Sequence, residues 1–274
     1  MPPRLNIEEV LNTDDYPVHD RDHPARSELV RSCRADLEKN MYCAIPNFVR
    51  PSALKIMAEE ATELRPQAYD NNSRRNVYLQ RQLDPSLPED HARNHLNSTS
   101  TRMIAYDQIG DLSPLKVFYH SDAVREMIAD IVGSDELFDN EDPYQPANYV
   151  CYDDGDQSSW HFDSDNSFTV TLMIQAAKSG GDFQMSPNAR TDTEQNYDHV
   201  TRILRGEVND TIASVGREPG ALCIFRGCNS LHRVSPVKGK TMRIMGVFVY
   251  EREPGILGDP EINETIYGSR VATG

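Results

Sequence analysis

The stretch Trp160-His161-Phe162-Asp163 sets an imidazole and a carboxylate two positions apart in a segment that reads as extended chain. On a strand, residues i and i+2 project to the same face, so His161 and Asp163 can hold one ion between them. Working outward, the chain after residue 145 has the texture of strands. Segments 148–152, 168–175, 182–185, 221–225 and 242–250 are β-branched, aromatic or alternating, each bounded by Gly, Pro, Asp or Ser. One helix interrupts them at 197–205.

The first half reads differently. Residues 1–26 are polar and rich in Asp, His and Pro, which predicts an extended arm. Helices are expected over 27–40 with Ser27 as cap, from Pro51 to a stop at Pro66, and over 121–132 between Ser121 and Gly133. A short buried strand is expected at 41–45. Residues 67–100 show little periodicity and read as a long irregular segment of the kind that is mobile or functional. Helices first and short strands afterwards predict an α+β chain whose catalytic half is a β-sandwich or barrel.

A third ligand to an ion at His161 and Asp163 must come from elsewhere, and His232 stands 69 residues past Asp163. Two imidazoles and one carboxylate on one face of a metal leave three adjacent positions open, as non-haem Fe(II) oxygenases require. The HxD spacing alone also suits a core histidine at 161 and a surface one at 232, so the context has to decide.

That context is ordered. Tyr152-Asp153-Asp154-Gly155 precedes His161. Gly180-Gly181-Asp182-Phe183 follows it, then Pro219-Gly220-Ala221-Leu222-Cys223-Ile224-Phe225, then His232, Pro236-Val237, Gly239 and Arg243. Across 148–250 this resembles the Fe(II)/2-oxoglutarate-dependent oxygenases of the prolyl-hydroxylase-like kind. Arg74-Arg75-Asn76-Val77-Tyr78, the 111–133 region, 197–206 and Phe225-Arg226-Gly227 with His232-Arg233-Val234 are similar to the branch of free-amino-acid hydroxylases and halogenases. The resemblance implies a double-stranded β-helix, a cupin-like jelly-roll, over 145–250. Residues 27–135 would supply helical support and a lid segment within one domain spanning 1–274.

It also implies roles. His161, Asp163 and His232 would bind Fe(II), and 2-oxoglutarate and O₂ would be co-substrates. Arg243 would neutralise the distal carboxylate of 2-oxoglutarate, since a planar guanidinium binds a carboxylate bidentately and stays charged. Arg243 is also a charge in an otherwise apolar strand. Tyr152 joins it as a co-substrate contact. Arg102 is expected to touch both substrate carboxylate and co-substrate; Asn76, Tyr78, Trp160, Ser164 and Asp165 are further candidates for substrate contacts. Halogenating members carry Gly or Ala where Asp163 stands, so the resemblance points to hydroxylation of a small polar metabolite, a free amino acid or close derivative. Lysine-directed halogenating members have acidic contacts where this chain has Ser164. A peptidyl or protein hydroxylase and a metal-binding jelly-roll protein without turnover remain alternatives.

Composition narrows the rest. In 274 residues, 43 acidic against 28 basic side chains give a formal charge of −15, which argues against nucleic-acid and anionic-membrane partners. The longest apolar run, 244–250, is far below the ~18 residues that span a bilayer. The N-terminus carries no apolar signal segment, and Cys33, Cys43, Cys151, Cys223 and Cys228 lack CxxC spacing, so reduced thiols in a cytoplasmic enzyme are expected. The reading allows a homodimer.

Overall fold

The computed structural model describes residues 5–163, 168–216 and 218–272. Helices α1 (Ile7–Val10) and α2 (Pro24–Asn40) lead into strand β1 (Tyr42–Ile45), then α3 (Pro51–Leu64), β2 (Tyr69–Arg75) and β3 (Asn97–Ile104). After α4 (Pro114–Tyr119) and α5 (Asp122–Val132) come β4 (Phe138–Asp139), β5 (Ala147–Tyr152), β6 (Ser158–His161), β7 (Thr169–Gln175), β8 (Ser179–Gly180) and β9 (Phe183–Ser186). Helix α6 (Tyr197–Leu204) precedes β10 (Ala213–Val215), β11 (Leu222–Phe225), β12 (Leu231–Val234), β13 (Val237–Lys238), β14 (Arg243–Phe248) and β15 (Tyr250–Glu251), and α7 (Pro260–Tyr267) follows.

Two antiparallel sheets form the jelly-roll. The major sheet has the order β1-β11-β7-β14-β5-β3-β2 and the minor one β10-β9-β12-β6. Side-chain alternation gives each major strand two duties. Ile244 and Phe248 of β14, Tyr149 and Cys151 of β5, and Leu222 and Ile224 of β11 face the helices in the larger core. Val150 and Tyr152 of β5 and Cys223 and Phe225 of β11 point the other way and meet Phe183, Met185 and Val234 of the minor sheet.

The helical layer follows the local signals. Ser121 caps α5 by accepting from Val124 N, and Gly133 ends it with φ +70°. Val124, Met127, Ile128 and Ile131 bury its inner face, each worth roughly 1.5–3 kcal/mol of apolar burial. Pro51 opens α3 as expected. Helix α2 begins earlier than expected, at Pro24, because the His23 side chain rather than Ser27 accepts from the first turn.

Three expectations need correction. The arm is not extended throughout: α1 forms within it, and Val10, Leu11 and Val18 are buried, with Leu11 bridging Val49. The 67–100 segment contains β2 and the first half of β3, which pair residue for residue from Tyr69↔Met103 to Arg75↔Asn97. Their Asn, Ser, Thr and Arg content hides the strand period because this edge is largely solvated. The major sheet thus extends beyond 145–250, taking β1, β2 and β3 from the N-terminal half. The described cysteines are all free thiols, and no helix among the described residues is long and apolar enough to cross a membrane.

Candidate metal centre and cavity

His161 and His232 are directly opposite in the β6–β12 ladder, so their rings share one face of the minor sheet. The ring centroids are 4.2 Å apart. Each Nδ1–H donates to the carbonyl two residues back, His161 to Ser159 at 2.7 Å and His232 to Ser230 at 2.9 Å. Those bonds orient each ring and leave Nε2 free as a donor atom. Asp163 Oδ1 lies 3.6 Å from His161 Nε2 and 3.4 Å from His232 Nε2. An ion with bonds of about 2.1 Å holds neighbouring ligands about 3 Å apart, so small adjustments bring all three to one centre. Among the described residues these three form the one group of His, Cys, Asp or Glu with ligand atoms within 4.8 Å of one another.

The electrostatics suit ligation. Burial, aided by the neighbouring His232, pushes the His161 imidazole down to about 4, so it is neutral at pH 7. Burial alone would raise the Asp163 carboxyl, but the two imidazoles and the Thr169 hydroxyl hold it below the usual carboxylate range. Thr169 Oγ1 donates to Asp163 Oδ2 at 2.6 Å, and Asp163 N donates to the Gly227 carbonyl at 3.1 Å. A Cβ on Gly227 would stand 1.9 Å from Asp163 Oδ2. Two imidazoles with their Nε2 atoms turned to one carboxylate, and no further ligating group beside them among the described residues, fit ferrous iron with its remaining positions open.

Arg243 emerges as a buried cation. It is 1 % exposed, pairs with Tyr152 in the β14–β5 register, and sets its Cζ 5.0 Å from the centre of the Tyr152 ring. Gly181, at φ +68°, leaves room for it: a Cβ there would meet Arg243 Cδ at 2.8 Å. A guanidinium held in the interior beside an aromatic wall fits a dicarboxylate co-substrate.

A cavity of about 660 Å³ opens over His161 and Asp163. Tyr152, Val150, Thr101 and Met103 line one side, and Ile262 and Ile266 of α7 another. Helix α7 is held from behind: Asn263 Nδ2 donates to Asp142 Oδ2 at 2.7 Å, and Tyr267 is buried. Neither α7 nor Arg75 is marked for the site by a sequence motif, although Asp259, capping ahead of Pro260 at the start of α7, and Gly268 after it are ordinary helix-end signals. Arg75 lines the cavity, and its Nε and Nη2 are buried without a hydrogen-bond partner.

The remaining predicted contacts fall in different places. Arg102 is a correction: Thr99, Thr101 and Met103 of β3 line the cavity, so the alternating residue Arg102 faces away from it. It pairs instead with Asp156 at 3.1 Å and Asp70 at 3.1 Å. Trp160 is likewise turned from the ligand face, packing with Val77 and Phe162 under the Arg233 guanidinium at 4.6 Å. Tyr78 stacks on Phe162 at 5.6 Å in the same cluster. Asn76 does line the cavity, but its amide is committed to its own turn, accepting from Tyr78 N and Gln80 N and donating to the Arg93 carbonyl. Ser164 and Asp165 lie outside the described residues.

Comparison with known proteins agrees with this architecture. A 2OG-Fe(II) oxygenase-family oxidoreductase from Burkholderia pseudomallei is similar with a TM-score of 0.52 and 15% identity, over 83% of this chain and 92% of that one. A prolyl hydroxylase from Trichoplax adhaerens, solved with a hypoxia inducible factor peptide fragment, gives 0.52 and 16% over 83% and 90%. The epimerase SnoN, solved with Fe3+, alpha ketoglutarate and nogalamycin RO, gives 0.53 and 10% over 82% and 84%. At such identities the likeness is one of fold. No curated protein matches the chain. The family model of halogenase D (HalD) matches residues 25–263, nearly the whole length that carries the two sheets, the three ligands and Arg243; the chain belongs to the halogenase D family.

Proposed function

We propose that this protein is an Fe(II)/2-oxoglutarate-dependent oxygenase that hydroxylates an unactivated C–H bond of a small polar metabolite, a free amino acid or close derivative. The observation that carries the reading is the meeting of two imidazoles with the Asp163 carboxylate on one face of the minor sheet. When bound, iron and 2-oxoglutarate supply the oxidising power, with O₂ consumed and the co-substrate lost as succinate and CO₂.

The chain's own groups have distinct tasks. His161, His232 and Asp163 would hold the metal, their donor atoms oriented by Ser159, Ser230 and Thr169. Arg243 over Tyr152 would anchor the distal carboxylate of 2-oxoglutarate. Arg75, a cavity cation with unpartnered N–H groups, would take an anionic group of the substrate, the carboxylate in the case of an amino acid. The volume suits a small metabolite, and the apolar Val150, Met103, Val247 and Ile266 would keep water from the reacting carbon.

Membership of the halogenase D family makes halogenation the second reading. Asp163 argues against it, because its carboxylate would take up a position on the metal that a halide would need. The deciding experiment adds Fe(II) and 2-oxoglutarate anaerobically, looks for a weak visible charge-transfer band, then admits air and screens amino acids for stimulated succinate release with and without chloride. A band, succinate and a hydroxylated product support the proposal. Chlorinated product would establish the second reading, and absence of both band and succinate would leave a metal-binding protein without turnover.

A further inference from the structure

The carboxylate is the one member of the triad that no strand holds. His161 and His232 are fixed by the β6–β12 ladder, whereas β6 ends at His161 and Asp163 lies two residues beyond it. On the main-chain side, Asp163 meets a guanidinium that neither the metal nor the co-substrate requires. Arg190 Nη2 donates to the Asp163 carbonyl at 3.4 Å, while its Nε donates to the Cys228 carbonyl at 2.5 Å. Nη1 donates to Gln195 Oε1 at 3.3 Å. The cation lies over the Phe162 ring at 4.3 Å, which fixes its plane between the two carbonyls.

Cys228 is four residues before His232, and its neighbour Gly227 accepts from Asp163 N at 3.1 Å. One side chain therefore joins the segment that carries the first two ligands to the segment that leads into the third. A longer hydrogen-bond ladder does not supply this tie, since β6 ends at His161.

We infer that Arg190 is a positioning residue for the metal centre: by bridging the Asp163 and Cys228 carbonyls it sets the carboxylate at the distance from His232 at which all three ligands share one ion. This rests on the metal reading of the triad, and the test separates the two. Co(II) serves as the probe, read by calorimetric affinity and by its visible ligand-field bands, in the full chain and in Arg190→Met, Arg190→Lys and Asp163→Ala.

Arg190→Met should bind Co(II) at least about tenfold more weakly, with altered bands. Arg190→Lys, which keeps the charge but cannot reach both carbonyls, should be intermediate. In the Asp163→Ala background, removing Arg190 should add no further loss. A purely packing role for Arg190 would lower the melting temperature and leave affinity and bands unchanged, and that result overturns the inference. So would losses that simply add in the double variant. If Arg190→Met does not fold, Arg190→Lys decides, since wild-type affinity and bands there are equally fatal. Unmodified protein that binds Co(II) no better than His161→Ala or His232→Ala would instead sink the metal reading itself.

Discussion

The carboxylate of Asp163 occupies the space in which Gly227 would carry a side chain, with Oδ2 at 1.9 Å from the position of an added Cβ. No conformational demand explains the glycine, because its φ lies outside the left-handed region. Its absent side chain is what lets the ligand sit where it does. Gly227→Ala should therefore fold yet hold metal at least about tenfold more weakly, measured by Co(II) or Fe(II) titration. Unchanged affinity would mean that the carboxylate has another resting place.

Removing an imidazole should be more severe. His161→Ala or His232→Ala should abolish iron retention after desalting, assayed by metal analysis of the purified protein. Retention of stoichiometric iron in either variant would contradict the ligand assignment.

Arg243 and Gly181 form a second such pair. Arg243→Ala should raise the 2-oxoglutarate KM roughly 10–100-fold, the worth of a charge-assisted carboxylate contact. Gly181→Ala should act in the same direction, because its Cβ would press on Arg243 Cδ from a backbone position at φ +68°. Co-substrate titration of succinate release reads both; an unchanged KM in Arg243→Ala would place the anchor elsewhere.

Arg102 should behave differently from a pocket residue. Its ion pair with the buried Asp156 braces the turn before β6, where Asp153 N also donates to Asp156 Oδ2 at 2.9 Å. Arg102→Ala should destabilise by roughly 1.5–3 kcal/mol, the worth of a hydrogen-bonded charge contact to a carboxylate that keeps its bonds from Asp153 N and Ser100 Oγ, with the 2-oxoglutarate KM held within about twofold. Denaturant melts and co-substrate kinetics distinguish this from the expected contact role, under which KM would rise and stability would stay level.

The sequence by itself determined what is local. The HxD spacing set an imidazole and a carboxylate side by side at the end of β6, an apolar run marked β14 and made Arg243 conspicuous, and Ser121 and Gly133 bounded α5, because each signal is complete within a few residues. The tertiary structure alone decided what depends on pairing between distant segments. The β2–β3 hairpin joins the major sheet with too little apolar alternation to announce itself, since one face meets solvent and the other forms the mainly polar wall of the cavity. For the same reason composition does not tell Arg102 from Arg75 as the cation in that cavity: the face of each strand is set by its register with its neighbour, β3 on β5 and β2 on β3. Gly227, Thr169 and Arg190 serve Asp163 only through space, where a clash, a hydroxyl and two carbonyl contacts converge from three separate loops and strands.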